Sequence, residues 1–320
     1  MKIMTCAGSI AIAVVLAGTA AAHAQYPTRP IRLIVPFAAG SGNDTVARFI
    51  QPQLSAALGQ QVVIDNRAGA AGNLGAEVAA KAPPDGYTVM MGNIAHSISV
   101  TLYSRLGYDF VKDFAPVTLL ASGSFTLAVH PSLPVKSVTE LIAFAKKRPG
   151  ELNVATAGAA IQLSAKLLDS MARIKMTEIN YKSTPQAVTA LISGEASVGF
   201  PATSSVVPYV RSGKLRALAV TGAQRSSMAP NIPTLAESGV PGFNVTSWYG
   251  LVVPAGTPKE IIGRLHGAAV AALRNPEVKK RFDSTDLEPG GSTSDQFGAF
   301  IRSEVAKWAK VIKESGMRVE

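Results

Sequence analysis

The stretch "IVPFAAGSGNDTVARFI", Ile34 to Ile50, decides how this chain is read. An apolar strand runs into small residues and glycines, and a helical pattern begins just beyond them. The first turn of a helix has unpaired N–H groups and a partial positive charge, and small residues let a ligand approach that backbone closely. Such a junction suits a carboxylate or another anion. Asn43 or Asp44 would cap the helix in the plainer reading. In the functional reading Asp44 shapes the loop, while Ser41, Asn43 and nearby amides hold the ligand directly or through water.

Two further strand–loop–helix junctions share this character, "DNRAGAAGNLGAEVAAK" (65–81) and "VATAGAAIQLSAKLL" (154–168). None of the three contains G-x-x-x-x-G-K-[ST], and neither "GAAGNLG" nor "GSGNDT" fits G-x-G-x-x-G. A P-loop is excluded, and a dinucleotide site gains little support.

Around these junctions short apolar stretches alternate with helical patterns. The strand candidates are 31–35, 62–65, 87–92, 116–121, 126–130, 152–156, 177–181, 196–200, 215–220 and 249–253. Their continuous apolar runs suit strands buried on both faces. Ser137 and Glu140 form a capping-box pair before "VTELIAFAKK", and Gly150 follows that helix. Gly194 and Gly213 close two more helices. Phe300, Ile301, Glu304, Val305, Trp308, Val311 and Ile312 fall at helical spacing, which makes Trp308 a packing residue. This rhythm predicts an α/β fold with covered sheets.

The first residues read as a leader. Lys2 precedes the apolar run Ile10 to Ala17, and "AAAHA" ends at Ala24, so the mature chain is expected to start at Gln25. The single cysteine, Cys6, leaves with the leader. The remaining roughly 300 residues can bury a large core without disulfides. Net charge is +10, with basic residues scattered and aromatics at 6%. That pattern argues against nucleic acid and for a field that attracts small anions, or for a generally basic surface.

Signs of catalysis are missing from the motifs. There is no G-x-S-x-G, S-x-x-K or H-E-x-x-H. His130 and His266 have no metal-ligand partner at helical spacing. His96, in "GNIAHS" after a strand, is the histidine best placed to face a cleft. No catalytic residue, metal or cofactor is expected.

Taken in order, the segments "YPTRPIRLIVPFAAG", "LGQQVVIDNRAGAAGNLGAEVAAKAPPDGYTVMMG", "LYSRLGYDFVKDFAPVTLLA", "SVTELIAFAKKRPGELNVATAG", "YKSTPQAVTALISGEASVGF", "GKLRALAVTGAQRS", "PTLAESGVPGF", "WYGLVVPAGTP" and "SEVAKWAKVIKESG" span nearly the whole mature chain. Together it resembles the periplasmic substrate-binding proteins of the tripartite tricarboxylate transporters, the Bug or TctC-like family. The resemblance implies an α/β, two-domain Venus-flytrap fold of the type II kind, with a mixed sheet in each domain. It implies domain one from 25–124 and 223–320 and domain two from 125–222. Crossings are expected near 125–131 and 216–222.

The resemblance also implies a small carboxylate ligand held between the domains, export to the periplasm with cleavage after Ala24, and delivery to membrane permease subunits by a monomer. A sensing module that presents its closed form to a signalling partner is the alternative. The implied contacts are Phe37, Ala38, Ala39, Gly40, Ser41, Asn43 and Asp44 from the first jaw, with Asn93 and His96 beside them. Domain two would supply Ala157, Gly158, Ala159, Gln162, Ser183 and Pro201. Where the second jaw of the family commonly reads G-x-G-S-x-x-H-L, Ala159 and Gln162 replace the hydroxyl and the histidine. Pro201 stands where Asp is common, Ser183 where Gly is common, and Ser41 in place of a second adjacent Gly. Backbone anion binding survives these changes. Gln162 offers both a donor and an acceptor, so an amide-bearing or aromatic acid fits as well as a tricarboxylate.

Overall fold

The computed structural model describes residues 26–319, and the leader expectation lies outside them. In chain order the elements are β1 (Ile31–Val35), α1 (Gly42–Leu58), β2 (Val62–Asn66), a 3-10 turn (Ala70–Gly72), α2 (Asn73–Ala80), β3 (Thr88–Asn93), α3 (Ile94–Leu102) and β4 (Phe114–Ser124). Then come β5 (Thr126–Val129), α4 (Val138–Lys147), β6 (Asn153–Thr156), α5 (Ala159–Ala172), β7 (Thr177–Asn180), α6 (Thr184–Ser193), β8 (Val198–Gly199), α7 (Thr203–Arg211) and β9 (Arg216–Val220). The chain closes with β10 (Thr246–Pro254), α8 (Lys259–Arg274), α9 (Pro276–Asp283), β11 (Leu287–Pro289) and α10 (Ser294–Ser315).

The strands form two sheets, β11-β4-β10-β3-β1-β2 and β7-β6-β8-β5-β9. Each is mixed. In the first, β1 pairs parallel with β2 and β3, while β10 runs antiparallel to β3 and β4. In the second, β6 pairs parallel with β7 and β8, while β5 runs antiparallel to β8 and β9. Every residue of β3 is buried, as its unbroken apolar run requires of a strand covered on both faces.

Every predicted strand stretch is occupied by a strand, with three marked changes of length. The 116–121 candidate grows to the eleven residues of β4, the 249–253 candidate grows to the nine of β10, and the 196–200 candidate shrinks to the two of β8. β11 is an addition. Its three residues carry one apolar side chain, too few to show a period, and Pro289 suits its place at the sheet edge. The predicted capping box at α4 forms by half. Ser137 Oγ accepts from Glu140 N, but Glu140 Oε2 accepts from Lys136 N, one residue further back.

The helix α10 joins the two halves. Trp308 is fully buried, and its Nε1 donates to Glu304 Oε2 at 3.2 Å, as does Nε1 of Trp248 on β10. From the same helix Lys307 Nζ donates to Asn244 O, and Glu314 accepts from Ser170 of α5. Residues after β9 remain with the second sheet for some distance. Val220 N donates to Pro233 O, Leu235 N donates to Val220 O, and Val245 N donates to Thr221 O.

Candidate functional site

The crossings between sheets fix where a ligand would meet both. In the first sheet Tyr249 of β10 aligns with Asn93 at the end of β3 and with Ala121 of β4. β4 therefore leaves the sheet, at Ser124, on the edge where the parallel strands end. In the second sheet Thr126 N donates to Pro201 O and Phe125 bridges Ala202, so β5 enters where β8 ends. Phe125 and Thr221 hold the two crossings together, with Phe125 N donating to Thr221 Oγ1 and Thr221 N to Phe125 O. The carboxyl ends of both parallel sets thus border one crevice, the place where open α/β sheets bind ligands.

The first jaw is braced from within. Ser41 caps α1 by accepting from Asp44 N at 3.3 Å. This corrects the expectation that Asn43 or Asp44 is the cap. Asp44, 2% exposed, accepts from Gly40 N at 2.9 Å, Arg48 Nε at 2.8 Å and Asn66 Nδ2 at 3.0 Å. Burial alone would raise this carboxyl, but the bonds from Arg48, Gly40 and Asn66 hold it below the usual carboxylate range. Asn66 Nδ2 also donates to Phe37 O, so the loop is tied at both ends.

Asn43 turns away from the crevice. Its Oδ1 accepts from Asn93 Nδ2 at 2.8 Å and its Nδ2 donates to Met91 O at 3.4 Å. Asn93 in turn caps α3, accepting from Ala95 N. The Asn43 side chain thus bonds internally. His96 is also held inside the first jaw, fully buried, stacked on Phe110 at 5.3 Å and edge-on to Phe37 at 6.0 Å. Burial pushes its imidazole down to about 4. Nδ1 accepts from Asn93 N, which places the proton of the neutral ring on Nε2, beside the Gly72 backbone but with no well-formed hydrogen bond among the described residues. Phe37 and Ser41 are half-buried, while Ala38, Ala39 and Gly40 are exposed at the rim.

The second jaw is open. α5 begins at Gly158 (φ 80°, ψ 159°), a conformation glycine adopts freely, and no side chain caps it. Gln162 N donates to Gly158 O, so the amides of Ala159, Ala160 and Ile161 face outward as helix-start donors. The starts of α6 at Ser183 and α7 at Ala202 also lack a side-chain cap. Ala157, Ala159 and Gln162 are half-buried, and Gly158 and Ser183 exposed. Pro201 is buried.

Two hollows border the crevice. One, of about 180 Å³, lies between the starts of α1 and α7, with Gly42 and Thr45 on one side and Ala202, Thr203 and Ser204 on the other. Ser247, Tyr249 and Asp286 complete it. The other, of about 20 Å³, is apolar and lined by Ala157, Ile161, Thr184, Phe200 and Pro201 among others. They adjoin at Pro201–Ala202. Ser41 and Gly158 line neither hollow.

Sequence reasoning missed the Gly42–Tyr249 contact, although the glycine itself was in view. A Cβ at Gly42 would strike the Tyr249 hydroxyl, so a larger residue there would have to push the Tyr249 ring away from the α1 start. Thr203 was missed too. Its hydroxyl donates to Ser124 O at 2.9 Å and bonds Thr126 Oγ1, pinning α7 to the first crossing. Among the described residues, no cluster of three His, Cys, Asp or Glu side chains could hold a metal.

Two sheets joined by paired crossings, with helix starts from both facing a common crevice, define a two-domain solute-binding protein. The chain belongs to the family described as the tripartite tricarboxylate transporter family receptor, whose pattern matches residues 46–317. It is 35% identical to Protein BugT of Bordetella pertussis over 319 residues, 97% of each chain. Among solved structures it is similar to Rpa4515 of R. palustris with adipate (36% identity, 92% of this chain and 99% of that one, TM-score 0.77). It is also similar to MatC of Rhodopseudomonas palustris with bound malate (32%, 90% and 100%, TM-score 0.74). Members of this family bind solutes and are not enzymes, and this chain is a binding protein of that kind.

Proposed function

We propose that the protein captures a small organic acid between its domains in the periplasm and delivers it to the permease subunits of a tripartite tricarboxylate-type transporter. The observation that supports this reading most is the set of uncapped helix starts of the second domain, with α7 opposite the α1 start across one hollow and α5 and α6 around the adjoining one. Ligand contacts are assigned to the amides of Ala38 and Ala39 and to those from Gly158 to Ile161, with the Gln162 and Ser183 side chains beside them. The Gly40 and Ser41 amides are spent on Asp44 and on Ala38 O. Asp44, Asn93 and His96 support the first jaw from behind. The domains are drawn at 25–124 with 223–320, and at 125–222. The packing of residues 233–245 against β9 argues for moving the return crossing toward β10.

The energies suffice for reversible capture. Hydrogen bonds to a charged group contribute about 1.5–3 kcal/mol each, and a helix start adds about 0.3–1 kcal/mol, more when partly buried. A few such contacts reach the roughly 8 kcal/mol of micromolar affinity after ordering costs. Adipate and malate in the similar structures make dicarboxylates the first probes. Thermal unfolding with a panel of organic acids tests the reading. A saturating ligand at 100 times its Kd stabilises by about 2.7 kcal/mol, and no shift with any acid would count against capture.

A further inference from the structure

The hollow between the starts of α1 and α7 has an acidic wall that anion capture does not explain. Asp286 lies in the turn between α9 and β11, 6% exposed and with φ at 58°. Its Oδ1 accepts from Ser226 Oγ and from Met228 N, which ties down the 226–228 segment. Its Oδ2 accepts no hydrogen bond among the described residues and is not fully sealed, and the residue lines this hollow. No Lys, Arg or His nitrogen of those residues lies within 4.0 Å of this carboxylate, although the chain carries ten more basic than acidic residues. Asp286 also borders a second hollow of about 320 Å³ beyond Gly123 and Ser124, where Glu288 adds another acid.

A buried carboxylate without a counter-charge is costly, so its usual partner is a cation. The two walls of the smaller hollow ask for opposite charges. The starts of α1 and α7 favour a negative group, while Asp286 repels one. A plain dicarboxylate satisfies only the first wall. A molecule with a carboxylate and a protonated nitrogen satisfies both, and about 180 Å³, some six water volumes, suits a small one.

We propose that Asp286 sets specificity for a cationic nitrogen on the ligand, so that the solute is an amino acid or another amine-bearing acid. The proposal rests on the solute-binding reading above and names its ligand class. Calorimetric titration of the full chain with matched pairs tests it, using succinate and aspartate, glutarate and glutamate, and adipate and 2-aminoadipate. In the wild type the amino member of at least one pair binds tenfold or more tightly than its plain partner. In Asp286→Asn that ratio falls to within threefold. Asparagine keeps the Oδ1 acceptor for Ser226 and Met228 and tolerates positive φ, and an unchanged melting temperature verifies the fold. Equal or tighter binding of the plain acids by the wild type, or an unchanged ratio in Asp286→Asn, overturns the proposal and leaves carboxylate capture standing. The wild-type ratio decides alone if the variant does not fold. Binding of neither member of any pair overturns the proposal and also removes the support for capture of small dicarboxylates.

Discussion

The two sides of the crevice begin their helices in opposite ways. In the first domain α1 and α3 start with side-chain caps, Ser41 and Asn93, and a buried Asp44 gathers three donors behind the loop. Only α2, at Gly72, starts uncapped among the three helices that follow β1, β2 and β3. In the second domain α5, α6 and α7 start with none. A capped start has spent part of its donor capacity on its own chain, whereas an uncapped start keeps it for a ligand or water. The first jaw is a shaped wall, and the second supplies most of the free amides. Stability and binding should therefore respond differently to changes on the two sides.

The largest effect is expected from Asp44→Ala. It removes the shared acceptor of Gly40 N, of one Asn66 Nδ2 hydrogen and of the solvent-facing Arg48, and should lower stability by about 2–4 kcal/mol in urea unfolding. A loss below about 1 kcal/mol would show that the first jaw does not depend on this network. Because the Asp44 carboxyl is held below its usual range, its contribution is present above the unfolded value near 3.9 and fades as pH falls through the folded one.

Acid should separate the domains more sharply. His96 in the first domain stays neutral down to about 4, while in the unfolded chain it protonates near 6.5. Between those values the unfolded state holds the extra proton, so stability falls as pH falls, by about 3 kcal/mol in all. Asp169 in α5 has the reverse sign. Burial raises its carboxyl to about 6, so its cost is relieved on acidification. Unfolding curves from pH 7 to 4 should steepen less in His96→Gln and more in Asp169→Asn. Parallel curves for all three proteins would contradict both assignments.

A smaller effect sharpens the comparison directly. Ala202→Ser gives α7 the cap it lacks, at a residue whose φ of −57° and ψ of 139° suit that position. It should add about 0.5–1 kcal/mol of stability while weakening acid binding, since the new hydroxyl competes for the same amides. Tighter binding would mean that the α7 start is not a ligand donor. The smallest effect is expected from Ser41→Gly, a few tenths of a kcal/mol, with affinity nearly unchanged if the wall supplies shape rather than side-chain contacts.

Much of the fold was legible because burial on both faces leaves a continuous apolar run, as in β1 and β3, and because glycine marks a helix end, as at Gly194, while Gly213 falls one residue past the Ser212 cap of α7. The two jaws were legible as small-residue junctions between strand and helix. The division of labour inside them was not. Ser41, Asn43 and Asp44 are all good caps, and which one serves depends on Asn66 and Asn93, 22 and 50 residues away from their partners in the loop. His96 looked accessible because its neighbours are small and polar. The aromatic pair that encloses it comes from Phe37 and Phe110.

The sequence by itself determined the alternation of strand and helix, the glycine-lined junctions and the family, since these rest on local periodicity and on ordered segments along one chain. Only the tertiary structure decided which polar groups near the crevice are spent internally and which remain open. It also brought Asp286 from the far end of the chain into the wall beside α1. Hydrogen-bond satisfaction and charge burial are settled between elements distant in sequence, and no local pattern records them.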